Sequence, residues 1–188
     1  RNPVTVLYAS VKGFRSYADE SLPDDLMRNL KEIFSIASRN VLGYGGYVEK
    51  YQGESLTGVF GAPADLADHT RRAVRAAVSI QKALQEAASI GNELLRKVSI
   101  GISTGVVLSG QVPSGKTSSP FYVGEIFEEA ASLNRAAREG EIVISRDVYQ
   151  SVQNLVAVEP LPPLGAGGGR GSWEAFRLLR IEERKYRA

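Results

Sequence analysis

The chain has no cysteine. That excludes disulfides and thiolate-held metals, and it fits a reducing cytosol. Histidine is almost as scarce. His69 is the only one; it follows Asp68 at the expected start of a helix, with no nucleophile or acid pattern beside it. It therefore reads as a helix-start packing residue rather than a general base. A dominant charge is missing too: 23 basic and 21 acidic side chains leave a net charge of +2, which gives no electrostatic case for a nucleic-acid or membrane-surface partner. No apolar run approaches the roughly 20 residues that span a bilayer, and no signal peptide is visible. The expected location is the cytoplasm, with no membrane contact in this stretch.

What is present is ordinary for a soluble globular protein, with 43% hydrophobic and 23% charged residues. At 188 residues the chain suits one domain, residues 1–188, able to bury roughly 70% of its unfolded surface. It opens on Arg1 rather than Met, and the expectation is a piece of a longer protein.

Residues 4–11 are apolar and β-branched and read as a buried strand. Pro23-Asp24-Asp25 opens a helix whose apolar residues Leu26, Leu30, Ile33, Phe34, Ala37 and Val41 recur at helical spacing, closed by Gly43. Residues 47–51 and 55–60 read as two strands around Gln52-Gly53-Glu54, a hairpin by its spacing. A long helix is expected over 65–93, with Ala73, Ala76, Ala77, Ile80, Ala83 and Leu84 on one face. Residues 98–104 and 106–112 read as a strand pair broken at Gly105, followed by a polar loop over 113–119 and a short strand at 121–123. A helix over 124–138, a strand over 141–145, a helix over 146–155, a Pro/Gly-rich loop over 160–172 and a final strand over 173–180 complete the chain. Hairpins among interleaved helices and strands predict an α+β sheet with helices on one face. Trp173 and the tyrosines Tyr44, Tyr47 and Tyr51 read as core or interface aromatics.

Gly110 to Thr117 satisfies the phosphate-loop pattern GxxxxGK[ST]. That chemistry requires Lys-Thr to open a helix, so that amides and dipole face the phosphates. Here Ser118-Ser119-Pro120-Phe121-Tyr122-Val123 follow, which read as loop and strand, and Pro113 removes one amide. The prediction is a protruding hairpin tip that binds no phosphate through Lys116.

Five segments, in order, carry a resemblance. VTVLYASVKGF (4–14) looks like FADIxGF, and GGYVEKYQGESLTGVFGAP (45–63) looks like GGxVxKxxGDxxxAxFGAP. ADHTRRAVRAAVSIQ (67–81) and KVSIGISTGVVLSGQV (97–112) match the helix and hairpin that follow, and YVGEIFEEAASLNRAAREGEIVIS (122–145) is similar to xIGDxVNxAARLxxxAxxGxIxIS. Together they resemble the catalytic domain of the class III nucleotidyl cyclases. The resemblance implies a ferredoxin-like βαββαβ core with helices packed on an antiparallel-rich sheet, and a dimer with its active site across the subunit boundary. It also implies a multidomain signalling protein, with sensor or membrane modules outside this stretch.

Cyclisation directs a ribose 3′-oxygen onto the α-phosphate of ATP or GTP, assisted by two Mg²⁺ or Mn²⁺ ions. Such hard cations want carboxylate oxygens. In the family two aspartates hold both metals, and their positions fall at Ser10 and Glu54. Serine is a neutral, weak ligand, and glutamate is one methylene longer than Mg²⁺ geometry favours. The base-reading lysine corresponds to Lys50, which is retained, and the base-reading carboxylate to Glu125. The Asn and Arg that orient ribose and stabilise transition-state charge fall at Glu128 and Ser132, four apart and hence on one helix face. Glutamate repels a triphosphate, and serine cannot replace a guanidinium fork. Asn134 and Arg135 lie close in sequence but are expected on other faces.

The reading that follows is a degenerate cyclase domain, without bound cofactor. It is expected to act as a dimerising or regulatory module, a homodimer or the non-catalytic partner of an active cyclase chain. Two alternatives stand beside it. One is a divergent active cyclase with a single metal on Glu54 and another carboxylate. The other is a nucleotide sensor binding without turnover through Lys50 and a backbone phosphate pocket.

Overall fold

The computed structural model describes residues 1–89, 92–165 and 172–182. The apolar run after Asn2 forms β1 (Asn2–Val11). Its alternate side chains enter two cores, Leu7, Ala9 and Val11 on one face and Val4 and Val6 on the other. A strand buried on both faces is what so continuous an apolar run requires. A short helix, α1 (Phe14–Glu20), precedes α2 (Pro23–Gly43). Proline in the first turn of α2 sacrifices no intrahelical hydrogen bond, and Asp24 and Asp25 complement the helix dipole there.

β2 (Tyr47–Gln52) and β3 (Ser55–Phe60) form the expected hairpin. α3 (His69–Ala87) buries Ala73, Ala76, Ala77, Ile80 and Leu84 and leads to β4 (Val98–Ser114). The order β1, α2, β2, β3, α3, β4, with strands arranged β2-β3-β1-β4 and antiparallel throughout, is the ferredoxin-like βαββαβ arrangement. β1 lies centrally, between β3 and β4.

The rest of the chain extends this sheet. β5 (Thr117–Val123) folds back on the far end of β4. After α4 (Glu125–Ala136), β6 (Ile142–Ser145) adds parallel to β4. Then come α5 (Arg146–Val152), β7 (Val156–Leu164) and β8 (Trp173–Ile181). The full order is β2-β3-β1-β4-β6-β8-β7, with β5 paired to β4.

Several sequence expectations need correction. The helices do not share one face. α2, α3 and α5 pack on the Leu7 side, whereas α4 sets Ile126 and Ala130 against Val4, Val6, Val59 and Val107 on the other. Residues 98–104 and 106–112 are not two strands but part of continuous β4, and the hairpin partner of its outer end is β5. Gly105 and Gly101 make room for α4 rather than a turn. A Cβ on Gly105 would stand 2.7 Å from Ile126, and one on Gly101 would stand 2.2 Å from the Ala130 carbonyl oxygen. The loop expected over 160–172 is a strand as far as Leu164. Its prolines 160, 162 and 163 fit an edge strand, where proline is tolerated, and Pro162 and Pro163 fall in the register shift between Leu161 and Leu164, opposite no residue of β8; residues 166–171 lie outside the described residues. The long helix ends at Ala87, followed by a 3-10 turn over Glu93–Lys97, and α5 ends at Val152. Among the described residues no helix is long and apolar enough to cross a membrane.

Candidate functional site

The β2–β3 hairpin register decides where Ser10 and Glu54 go. Ser10 is paired with Ser55 of β3 and Ser99 of β4. The next amide, that of Val11, donates to the Glu54 carbonyl at 3.2 Å. Ser55 Oγ closes the turn by donating to the Gln52 carbonyl at 2.7 Å. Ser10 and Glu54 are therefore neighbours in the fold, with Phe34 of α2 and Val98 of β4 beside them, although the alternation of β1 turns the Ser10 side chain to the α4 face with Tyr8. Two positions 44 residues apart in the chain meet at one end of the central strand.

α4 passes over that same end. Asn134 is buried, and its Nδ2 donates to the Ser99 carbonyl at 2.7 Å and the Tyr8 carbonyl at 3.2 Å. A side chain pinned between two strands is structural, and it is not available to a ligand. Arg135 behaves differently from the sequence expectation. Its Nη2 donates to Ser132 Oγ at 2.8 Å, so the guanidinium does reach the face on which Ser132 lies. Three residues along a helix is close enough for a long side chain to lean back across one turn. Glu125 and Glu128 stand exposed in the first turn of α4.

Two titratable residues in this region were not legible in the sequence. Lys12, just past β1, donates from Nζ to the Arg135 carbonyl at 2.8 Å. Burial and then the Arg135 charge push its pKa down, with Glu141 opposing. Glu129 is half-buried on α4 and accepts a hydrogen bond from Ser103 Oγ at 2.7 Å; burial pushes its pKa up, partly offset by that bond.

Lys50 is exposed on β2 opposite Thr57, beside a bulge between Val48 and Lys50. Thr57 in turn pairs with Tyr8, which packs in the α4-side core, so Lys50 shares a sheet face with α4. Its ammonium makes no hydrogen bond or ion pair among the described residues. Tyr47 and Glu49 lie near Tyr122 on this side and, after burial itself, raise its pKa. Tyr51 points the other way, edge-on to Phe34 at 5.0 Å between centroids. Tyr44 is half-buried against the main core, and Trp173 is half-buried on β8.

His69 begins α3, and its Nδ1 lies 2.7 Å from Thr5 Oγ1, which also contacts Thr70 and Thr104. Burial pushes its pKa down against the pull of Asp65 and Asp68. It packs a helix start, as expected. The GxxxxGK[ST] stretch is the end of β4, a two-residue turn at Gly115-Lys116, and β5. No helix follows Thr117, so no dipole or amide row faces Lys116. Lys116→Ala is expected to leave any nucleotide affinity unchanged. A tenfold loss, about 1.4 kcal/mol in a titration, would restore the phosphate-loop reading.

The donor set can be tested against a pair of divalent cations. Ser10 offers a neutral hydroxyl and Glu54 one carboxylate. Among the described residues no three His, Cys, Asp or Glu side chains converge. Mg²⁺ and Mn²⁺ need several oxygen donors, anionic ones foremost. These residues do not fit two such ions.

The fold and the crossing of α4 over the end of β1 can now be set beside known proteins. The model of the adenylate and guanylate cyclase catalytic domain matches residues 1–176. The chain belongs to that family. An adenylate cyclase of Mycobacterium tuberculosis (strain ATCC 25618 / H37Rv) is 28% identical over 151 residues, 80% of this chain and 33% of that protein. The crystal structure of the guanylyl cyclase Cya2 superposes with a TM-score of 0.87 at 25% identity, covering 96% of this chain and 93% of that one. The non-canonical dimeric guanylyl cyclase domain of the RhoGC fusion protein from Blastocladiella emersonii gives a TM-score of 0.83 at 22% identity, over 97% and 98% of the two chains. The chain spans about a third of the length of the curated relatives it matches. This cyclase domain thus keeps the family fold while carrying serine, glutamate, glutamate and serine at positions 10, 54, 128 and 132.

Proposed function

We propose that this cyclase domain forms no cyclic nucleotide and serves as a dimerising signalling module, either with itself or beside an active cyclase chain. One observation carries the reading. Where β1 meets the β2–β3 turn, the position at which the resemblance expects a bridging aspartate is Ser10, a neutral hydroxyl beside Glu54, and among the described residues no group of three or more His, Cys, Asp or Glu side chains forms. Two divalent cations have no cage there, and Glu128, exposed on α4, opposes a triphosphate wherever the helix faces one. The proposal extends to a cytoplasmic location and to a place in a longer multidomain protein, which the length of the curated relatives, about three times the matched stretch, supports. The test is a cyclic-nucleotide assay on the purified domain with ATP or GTP and Mg²⁺ or Mn²⁺. Product that disappears on Glu54→Ala would establish the divergent-enzyme reading instead.

The β4–β5 hairpin supports the dimerising half of the proposal. Leu108 pairs with Val123 and Gly110 with Phe121, so Val106, Leu108, Val112, Phe121 and Val123 share one face of the ribbon, and all five are exposed. A contiguous apolar face on a two-stranded ribbon is costly in water unless another surface covers it. A related domain of known structure is dimeric. Leu108→Asp with Phe121→Asp is expected to convert the domain to a monomer in sedimentation equilibrium. Its melting temperature, measured at a concentration where the parent is monomeric, is expected to change little, because neither side chain is buried in the domain's own core. A dimer that persists in this variant would move the interface elsewhere.

A further inference from the structure

We propose that the cavity between the start of β1 and the inner face of the β4–β5 ribbon binds a free α-amino acid with an apolar side chain, held by Asp65 and Arg1. The cavity measures about 410 Å³, within the range of small-molecule sites. It is separate from the positions described above. None of Ser10, Glu54, Glu125, Glu128 or Ser132 lines it, and Ser10 lies eight residues beyond Asn2 on β1, about 26 Å at the rise of an extended strand. One wall is the turn after β3, which Gly61 brings against β1. Its φ is 101°, and a Cβ there would stand 2.8 Å from the Pro3 carbonyl oxygen, so glycine is required for the approach. The opposite wall is the ribbon. Ser109 pairs with Tyr122 and Gln111 with Pro120, and these four look into the cavity. Leu108, Phe121 and Val123 alternate with them and point the other way. A partner on that apolar outer face therefore leaves the cavity open.

The lining carries one anion and one cation, Asp65 on the turn and Arg1 beside the start of β1. They form no ion pair with each other, and neither side chain makes a hydrogen bond or ion pair with another described residue. Asp65 acts on His69 only through space, and the imidazole Nδ1 is taken up by Thr5 Oγ1 at 2.7 Å. The carboxylate is thus a free acceptor and the guanidinium a free donor, whose fork suits a carboxylate in bidentate fashion. Asn2 Nδ2 donates to Ser109 Oγ at 2.8 Å, which leaves Asn2 Oδ1 to accept and the Ser109 hydroxyl to donate. Burial, then Tyr47 and Glu49, push the Tyr122 pKa up, so its phenol stays a donor. Pro3, Ala62, Pro63 and Pro120 supply apolar wall. Opposite charges that do not meet each other match a ligand bearing both an ammonium and a carboxylate. A lone amine meets Arg1 as a like charge, and a lone carboxylate meets Asp65 as one. A nucleotide brings several negative charges to a single guanidinium and a carboxylate, and is disfavoured. The apolar walls and the Tyr122 ring suit an aliphatic or aromatic side chain between the two charges.

The experiment is calorimetric titration of the full domain with L-leucine and L-phenylalanine. At least one is expected to bind with a Kd of about 1 mM or tighter. Phenethylamine, which lacks the carboxylate, and 3-phenylpropionate, which lacks the ammonium, should each bind about tenfold or more weakly than phenylalanine. The variants then pair each ligand charge with its side chain. Asp65→Asn should weaken phenylalanine by about tenfold and leave phenylpropionate as it was or tighter. Arg1→Gln should weaken phenylalanine similarly and leave phenethylamine as it was or tighter. Both residues are exposed, so neither change threatens the core. Glu54→Gln, at the other end of β1, should leave binding unchanged. Equal affinity for phenylalanine and its two singly charged analogues would reduce the cavity to a non-selective apolar gap and overturn the proposal. So would no binding of either amino acid at that affinity, indifference to Asp65→Asn, or loss on Glu54→Gln. Such a failure leaves the non-catalytic reading standing, because that reading falls only to cyclic-nucleotide formation.

Discussion

Gly101→Ala is expected to lower the melting temperature of the domain by about 6–12 °C, corresponding to roughly 3 kcal/mol in a domain of this size. The reason is a close approach of backbones. α4 crosses β4 so tightly that a Cβ on Gly101 would stand 2.2 Å from the Ala130 carbonyl oxygen and 2.5 Å from the Asn134 nitrogen. Both obstacles are main chain and cannot swing aside as a side chain tip would, so the helix itself must lift. Lifting α4 also strains the two Asn134 bonds to Tyr8 and Ser99 and loosens Ile126 and Ala130 from the second core. The loss should be larger than for Gly43→Ala, where nothing lies within 4 Å of the added carbon. Equal melting temperatures for the two variants would mean that α4 does not cross β4 at this register.

The second large effect is a gain of function. Ser10→Asp, Glu54→Asp, Glu128→Asn and Ser132→Arg together are expected to produce cyclic nucleotide, whereas the first pair alone should leave the domain nearly as inactive as the parent. Metal ions raise the reactivity of the nucleophile and neutralise phosphate charge. They leave the transition-state charge without its guanidinium, and Glu128 still repels. A single preorganised charge-stabilising group is worth on the order of 100- to 1000-fold in rate, and groups that act as one unit are strongly non-additive. The four-residue variant should therefore exceed the double variant by at least about 100-fold, provided the dimer closes the site. Comparable output from the two would show that Glu128 and Ser132 are not at the reacting centre.

Much of this fold was legible because burial writes a period into the chain. The stripes Leu30, Ile33, Ala37, Val41 and Ala73, Ala76, Ala77, Ile80, Leu84 mark α2 and α3, and the run before Lys12 marks a strand buried on both faces. Gly105 misled because a glycine in a strand signals either a turn or a close approach, and only the position of Ile126 decides between them. Pro160, Pro162 and Pro163 misled in the same way, since a loop and a sheet edge tolerate proline equally well. The meeting of Ser10 with Glu54 could be anticipated from a short hairpin folding back on a neighbouring strand. The role of Lys12 could not, because its partner carbonyl lies 123 residues further along the chain. Arg135 was placed on the wrong face because helical spacing locates a Cα well and the tip of a guanidinium poorly.

The central claim is that serine at position 10 leaves this cyclase domain without a divalent-cation site. Mn²⁺ titration followed by electron paramagnetic resonance measures that directly, since free and bound Mn²⁺ give different signals and no turnover is needed. The parent domain should leave Mn²⁺ free, and Ser10→Asp with Glu54→Asp should bind it. Mn²⁺ bound by the parent and released by Glu54→Ala would contradict the account.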